Sequence, residues 1–148
     1  FSAICHEIAQ EYPEITAEDW YVDIMAANLV NPELRGKLQV FLMPNLYGDI
    51  LTDEAAQIQG GVGTAGSANI GSRYAMFEAI HGSAPRLIEE GLGDYANPAS
   101  ILKAEAMLLR HIGLVDRAER LDAAVQAAMD AGGNPTCRAF ADMVLEKL

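Results

Sequence analysis

Two aspartates, Asp49 and Asp53, have the residue type and spacing that best fit a chemical role in this sequence. They are four residues apart in a segment with helical character, so both side chains project from one face of the helix. Neighbouring carboxylates repel each other unless a cation or a proton offsets the charge, and hard oxygen donors suit Mg²⁺ or Mn²⁺. Asp23, at a predicted strand-to-helix transition, is a candidate third ligand. Spacing alone favours the alternative that Asp49 caps the helix and Asp53 is solvated.

The glycine-rich segment Gly60–Gly71 and the downstream His81 form a second set of candidates. A loop of backbone N–H groups can cradle phosphate or ribose, and an imidazole can stack on a nucleotide or hydrogen-bond to it. The segment matches neither a dinucleotide-binding GxGxxG motif nor a Walker loop. A tight connection and a structural histidine therefore stay open as alternatives. No GxSxG motif surrounds the serines that could act as nucleophiles, which argues against a hydrolase: Ser72, Ser83 and Ser100.

Apolar periodicity and turn residues predict the elements that would position these side chains. Strands are predicted over Trp20–Ile24, Gln39–Met43 and Tyr74–Ile80, the last two of them buried. Helices are predicted over 1–12, 25–31, 48–59, 98–112, 116–130 and 136–148. Asn97 is the predicted N-cap of the fourth helix, Gly113 its stop, and Thr136 the cap of the last.

The predicted junction between the strand Gln39–Met43 and the following helix places Asn45–Asp49 at the carboxyl end of a strand. Ligands bind at such ends in open α/β sheets.

Composition excludes several classes of function. The chain has 148 residues and a formal net charge of −11, which is a poor basis for binding a nucleic-acid backbone. Apolar runs fall short of the ~20 residues that a membrane-spanning helix needs. The two cysteines, Cys5 and Cys137, exclude a disulfide scaffold and indicate a reducing, cytoplasmic compartment. The helical pattern beginning at Phe1 without an N-cap suggests that a longer protein extends upstream.

Four motifs, in this order along the chain, resemble the isocitrate and isopropylmalate dehydrogenase family of β-decarboxylating dehydrogenases. MPNLYGDILTDEAAQIQGGVG (43–63) resembles the metal-binding signature of that family, whereas SANIG (67–71) and FEAIHGSAP (77–85) resemble its cofactor loop. YANPASILKAEAMLLRHIG (95–113) resembles the segment that follows. The likeness covers the whole chain and is somewhat closer to isocitrate dehydrogenases.

This resemblance implies an oxidoreductase that oxidises a 2-hydroxy acid with NAD or NADP and then releases the β-carboxylate as CO₂. The 2-hydroxy acid that it favours is isocitrate, which would give 2-oxoglutarate. It also implies that Mg²⁺ or Mn²⁺ acts as a Lewis acid. Asp49 and Asp53 would bind the metal in one subunit, and Asp23 would come from the partner subunit of an obligate homodimer. The substrate arginines and the catalytic Tyr and Lys of the family would lie upstream of Phe1, so beyond the metal ligands the chain carries no catalytic residue and should not catalyse alone.

The resemblance also implies an adenosine pocket, with Asn97 at the adenine edge. Its candidate residues are His81, Gly82, Ser83, Ala84, Arg86 and Asn97. NAD-using relatives usually carry Asp where this chain has Arg86, and a guanidinium there can attract the 2′-phosphate of NADP. The second cluster of basic and tyrosine residues found in NADP enzymes has no match, which favours NAD.

The fold implied is the C-terminal portion of a two-lobed α/β enzyme. Residues 1–60 would belong to the small, dimer-forming lobe with the metal ligands, and residues 61–148 to the large, cofactor-side lobe. Three alternatives stay open: a 3-isopropylmalate or tartrate dehydrogenase, a noncatalytic regulatory subunit, and a nucleotide-binding module without redox chemistry. The complete aspartate set argues against a regulatory subunit.

Overall fold

Helices dominate the structure, a computed structural model that describes the backbone of residues 1–148 and every side chain except that of Arg35. The chain divides into two compact units, residues 1–58 and residues 59–148. Whether these units correspond to two lobes of a larger enzyme stays a prediction. Among the helices described, none is long and apolar enough to cross a membrane.

The first unit contains α1 (Ser2–Ala9), α2 (Val22–Leu29), α3 (Pro32–Arg35) and most of α4 (Asn45–Gln59). Its core is a cluster formed by Met25 and Leu29 of α2 with Leu51 of α4. Met25 and Leu29 are four residues apart, so one face of α2 carries both side chains. This packing holds α2, which carries Asp23, against α4, which carries Asp49 and Asp53.

Two predicted strands of this unit are wrong. Trp20–Ile24 runs into the helix α2, because burial of Met25 and Leu29 on one helical face outweighs the β-forming composition. Gln39–Met43 has no regular secondary structure, and Val40 and Leu42 are 85% and 69% exposed. A strand needs a neighbouring strand for its backbone hydrogen bonds, and none pairs with this run in the described part of the chain.

The second unit contains a 3₁₀ turn (Val62–Thr64), β1 (Gly66–Ile70), β2 (Ala75–Ala79), α5 (Pro85–Glu89), a 3₁₀ turn (Gly93–Tyr95), α6 (Ala99–His111), α7 (Val115–Asp130) and α8 (Cys137–Leu145). β1 and β2 pair antiparallel, with Gly66 opposite Ala79 and Ile70 opposite Ala75. α6 packs on both strands and on α7. The core joins Ala99 of α6, Val125 of α7 and Phe140 of α8.

The structure confirms some of the predicted helix ends in this unit and corrects others. α6 begins at Ala99 with Pro98 as its N-cap, one residue after the predicted Asn97, and α8 ends at Leu145 rather than Leu148. The Asn97 Oδ1 accepts a hydrogen bond from the Ala99 amide at 2.9 Å, and Gly113 follows α6 with a φ of +85°. The Thr136 Oγ1 accepts from the Ala139 amide at 3.2 Å at the start of α8. These are local signals, because each depends on residues within a few positions of the helix end.

The glycine-rich segment differs from the predicted open loop. Gly60 and Gly61 have φ values of +127° and +115°, which glycine adopts at low cost. Gly66–Ile70, however, is the strand β1, so part of the expected phosphate cradle is paired with β2. The predicted strand Tyr74–Ile80 corresponds to β2, but its side chains alternate between half-buried and exposed, so it is not buried on both faces.

Candidate functional site

Asp49 and Asp53 lie on successive turns of α4 and both are exposed. Because α4 begins at Asn45, Asp49 lies beyond the first turn and cannot be the N-cap, so the capping alternative is wrong. Neither carboxylate has a hydrogen bond or an ion pair with any described side chain. With Glu54 beside them and no lysine or arginine on α4, this helix carries three acidic side chains and no cation.

Asp23 lies in the first turn of α2 and is exposed. Its Oδ1 accepts a hydrogen bond from the Ile24 amide at 2.8 Å, which leaves the other carboxylate oxygen without a partner in the described residues. Among the side chains that the structure describes, no three of His, Cys, Asp and Glu come together as a metal site. One chain therefore offers a pair of donors on α4 and a separate donor on α2.

The loop His81–Ala84 follows β2 and is exposed throughout, including Ser83. His81 Nδ1 lies 2.9 Å from the Gly82 carbonyl oxygen, and because a carbonyl only accepts, Nδ1 is the donor and Nε2 is left for a ligand. A Cβ added at Gly82 would meet no heavy atom within 4 Å, so there is open space beside the loop.

Ala84 ends this loop in the left-handed region, with φ +44° and ψ +58°. For a residue with a Cβ this conformation costs about 1–2 kcal/mol, and such strain concentrates at ligand-binding segments. Pro85 then begins α5, and the Leu87 amide donates to the Ala84 carbonyl. The carboxyl end of the loop is thus held by the first turn of α5.

Arg86 lies on α5 with its side chain 86% exposed. Its Nε donates to Glu90 Oε1 at 2.6 Å, in an i,i+4 ion pair. The negative charge of Glu90, with Glu89 beside it, offsets the guanidinium locally.

Asn97 lines a cleft of about 270 Å³ in the second unit, together with residues that include Gly60, Thr64, Gln126 and Asp130. The loop His81–Ala84 does not line this cleft. Because Asn97 Oδ1 already accepts from the Ala99 amide, the Nδ2 group is the part of this side chain that remains to donate to a ligand. The four loop residues and Arg86 are contiguous in the chain, and β2, which leads into the loop, packs on α6, which Asn97 precedes.

From the sequence Ser100 is one of three serines that could act as nucleophiles, but the structure gives it a structural role in the core of the second unit. It is completely buried, its Oγ accepts a hydrogen bond from the Ile80 amide at 3.1 Å, and it donates to the Ala65 carbonyl oxygen. Its position four residues before Ala104 on α6 places both on one face, and Ala104 is also buried. A serine on the apolar face of a predicted helix indicates a buried structural hydroxyl, and this was the feature of the sequence that could have identified the role of Ser100.

A second polar cluster lies in the first unit. Asp19 accepts from Ser2 Oγ at 3.0 Å and lies 2.7 Å from His6 Nε2. The pKa of Asp19 is lowered below its usual value, chiefly by the His6 hydrogen bond and then by that of Ser2. The carboxylate lies between the other two groups, so the histidine does not activate the serine as it does in a nucleophilic triad.

Comparison with known proteins identifies the kind of chain to which these features belong. A family profile described as isocitrate/isopropylmalate dehydrogenase matches residues 1–143. The isocitrate dehydrogenase (NADP) of Rickettsia prowazekii is 46% identical over 133 residues, which cover 89% of this chain and 26% of that protein. The 3-isopropylmalate dehydrogenase of Archaeoglobus fulgidus is 37% identical over 155 residues, which cover 100% of this chain and 46% of that protein.

Solved structures agree with the sequence comparisons. An isocitrate dehydrogenase from Methylococcus capsulatus matches with a TM-score of 0.89 and 37% identity, over 98% of this chain and 44% of that one. A β-decarboxylating dehydrogenase from Thermococcus kodakarensis matches with a TM-score of 0.79 and 30% identity, over 99% of this chain. The predicted fold class, a portion of this two-lobed α/β fold, is confirmed. The chain spans about a quarter of the length of the Rickettsia relative and less than half of the length of each of the other proteins named here.

Proposed function

Because the chain belongs to the isocitrate/isopropylmalate dehydrogenase family, we propose that the protein carrying it oxidises isocitrate with a nicotinamide dinucleotide and releases CO₂, yielding 2-oxoglutarate. The substrate follows the Rickettsia relatives, which are 46% and 47% identical to this chain and are named isocitrate dehydrogenases. In this reaction the 2-hydroxy group becomes a carbonyl, a hydride passes to the dinucleotide, and the β-carboxylate leaves as CO₂. We assign no proton-transfer residue to the chain.

The observation that carries this proposal is the pair of exposed carboxylates on α4. Asp49 and Asp53 have no partner among the described residues, and α4 offers no cation to offset them. In water alone, such a pair would repel and weaken the helix by a few tenths of a kcal/mol. A divalent cation removes that repulsion, and hard carboxylate oxygens are the donors that Mg²⁺ and Mn²⁺ prefer.

The donor set therefore fits a divalent metal with Asp49 and Asp53 as ligands and Asp23 as the third. When bound, the cation supplies Lewis-acid polarisation of the substrate hydroxyl and of the carbonyl that forms from it. The three aspartates would hold the cation in place, and the cation would in turn orient the hydroxy acid.

Asp23 acts in the site of the other subunit, so the working protein is a homodimer. Support comes from the single chain, whose described side chains bring no three ligand residues together. Large apolar side chains on the same elements are exposed, among them Ile24 of α2 and Leu46 and Ile50 of α4. Exposed apolar groups of this kind mark protein contact surfaces.

The dinucleotide would bind at the loop His81–Ala84, with Asn97 donating through Nδ2 to the adenine and Arg86 near the adenosine ribose. We propose NAD as the preferred oxidant. The ion pair between Arg86 and Glu90 lowers the local positive charge that the 2′-phosphate of NADP would need. A preference for NAD would differ from the dinucleotide in the names of the Rickettsia relatives, which is NADP.

A subunit-mixing assay tests the shared site together with the activity. Asp23→Asn and Asp49→Asn should each abolish Mn²⁺-dependent reduction of NAD by isocitrate. Random mixing of the two variants should then restore about a quarter of the wild-type sites, since half of the dimers are hybrids and each hybrid has one intact site. Absence of any recovery would argue that each subunit builds its site alone.

The second candidate substrate is 3-isopropylmalate, favoured by the Archaeoglobus relative that matches over the entire chain. The same assay with isocitrate, 3-isopropylmalate and tartrate, each with NAD and NADP, separates the dehydrogenase candidates. Turnover of none of them, with dinucleotide binding intact, would instead support a regulatory subunit or a nucleotide-binding module.

A further inference from the structure

The hydroxyl of Ser100 connects three backbone segments that are distant in sequence. It lies in the first turn of α6, accepts from the Ile80 amide at 3.1 Å and donates to the Ala65 carbonyl oxygen. Ile80 immediately precedes His81, and Ala65 immediately precedes β1. One buried oxygen therefore fixes the exit of β2, the entry of β1 and the start of α6 relative to one another.

The Ser100 hydroxyl makes both of these contacts from a fully buried position. Ser100 is 0% exposed, so water cannot replace a lost partner without opening the core. A hydroxyl donates one hydrogen bond while accepting others, whereas a methyl group does neither. Removing it would leave the Ile80 N–H and the Ala65 carbonyl without a side-chain partner in a half-buried place, at a cost of the order of a lost hydrogen bond for each.

The two ends of the loop His81–Ala84 are thereby held differently. Ser100 holds the amino end through Ile80, and the first turn of α5 holds the carboxyl end through Ala84, whose left-handed backbone needs surrounding structure to persist. Asn97, three residues before Ser100, is fixed to the same helix start by its hydrogen bond to the Ala99 amide. The start of α6 thus sets both the loop and Asn97.

We infer that Ser100 is a positioning residue for dinucleotide binding: it does not touch the ligand, but sets the loop His81–Ala84 in register with Asn97. This inference rests on the proposed function, because it takes that loop and Asn97 as the adenosine-binding groups. Loss of the hydroxyl should therefore weaken dinucleotide binding more than an equal loss of stability elsewhere in the unit does.

The test compares Ser100→Ala with Val144→Ala, which removes core packing on α8 in the same unit without contacting Ile80 or the loop. Titration of the chain with NAD and with NADP gives the dissociation constants. Ser100→Ala should raise the constant of the preferred dinucleotide about tenfold, as expected for displaced binding groups, whereas Val144→Ala should change it less than about twofold.

Amide hydrogen exchange supplies a readout that is independent of the ligand. The Ile80 amide lies outside the β1–β2 ladder, yet it should exchange about as slowly as ladder amides in the wild-type chain. In Ser100→Ala, exchange of the Ile80 and His81 amides should become at least about tenfold faster when it is compared with exchange of the Val125 amide of α7. In Val144→Ala, exchange of all three amides should become faster by the same factor. If Ser100→Ala does not fold, Ser100→Cys takes its place, because a thiol keeps the volume and only a weak hydrogen bond.

The possible results separate this inference from the function on which it rests. Fast exchange of the wild-type Ile80 amide, or equal weakening of binding by Ser100→Ala and Val144→Ala, would overturn the positioning role. A different result would contradict the proposed function: the wild-type chain binds neither dinucleotide, although the exchange rate of the Ile80 amide still depends on Ser100. The inference about Ser100 would then fail together with the proposed function. Selective weakening together with selective exchange supports both.

Discussion

Gly66 lies directly against the backbone of Ala104: a Cβ at position 66 would come within 2.5 Å of the Ala104 amide nitrogen and 2.8 Å of its Cα. β1 and α6 therefore meet backbone to backbone at this point, four residues along α6 from Ser100. Side chains cannot move aside to relieve such a contact, because the atoms in the way belong to the helix itself. The glycine is required here for close approach, and its φ plays no part.

Gly66→Ala should accordingly destabilise the second unit by at least about 1–3 kcal/mol, the usual cost of overpacking. Thermal unfolding monitored by circular dichroism measures the change. Gly82→Ala is the matched control, since its added Cβ would meet nothing within 4 Å and its φ is not in the left-handed region. Equal melting temperatures for the two variants would show that β1 and α6 can separate without cost.

Removing one of the proposed metal ligands on α4 should weaken cation binding and activity together. Asp53→Asn should raise the Mn²⁺ dissociation constant at least about tenfold, and Asp49→Asn should lower the oxidative decarboxylation rate at least about 10²-fold, because the metal acts on the developing transition state. Glu54→Gln removes the same charge from the next position on the same helix but points about 100° away from Asp53. Calorimetric Mn²⁺ titration of the three variants would contradict the assignment if Glu54→Gln lost as much affinity as Asp53→Asn.

Changes at the Arg86–Glu90 pair should alter the choice of dinucleotide. Arg86→Asp should shift the preference further toward NAD, because the carboxylate repels a 2′-phosphate and can accept from ribose hydroxyls. Glu90→Gln should do the reverse, since it removes the charge that holds Arg86 Nε at 2.6 Å. The ratio of NAD to NADP dissociation constants measures both effects. An unchanged ratio in both variants would show that Arg86 lies away from the ribose.

The Asp19 cluster should make a small contribution to the stability of the first unit that is lost in acid. The pKa of Asp19 is lowered in the folded chain, first by the His6 hydrogen bond and second by the Ser2 hydrogen bond. The unfolded chain therefore binds the Asp19 proton more readily than the folded chain does. The stabilisation is present above the ordinary carboxyl value of 3.8 and is lost as the pH falls through the lower, folded value.

Carbon-13 titration of the Asp19 carboxyl should place its midpoint below 3.8 in the wild type. His6→Ala should raise the midpoint toward 3.8, and Ser2→Ala should raise it less, in the order of the two causes. If Ser2→Ala had the larger effect, the imidazole would not be the principal partner of this carboxylate.

Sequence alone determined α6, α7 and α8 of the second unit and two of their ends. Apolar spacing predicts α6 and α7, Gly113 predicts the stop of α6 and Thr136 the start of α8. The start of α6 was predicted one residue early, at Asn97 instead of Pro98, and α5 was not predicted. Caps and glycine stops depend on backbone groups within one turn, so the information lies in neighbouring residues. The motifs around Asp49 and His81 likewise indicated the family, since their residues are contiguous.

Tertiary structure decided the features that depend on distant residues. Trp20–Ile24 and Gln39–Met43 have strand composition, but strand formation requires a hydrogen-bonding neighbour, and burial of Met25 and Leu29 made a helix of the first segment. The glycine-rich segment became β1 only because β2 pairs with it. The role of Ser100 was hidden for the same reason, since its two partners lie 20 and 35 residues away and only the fold brings their N–H and C=O groups to one hydroxyl.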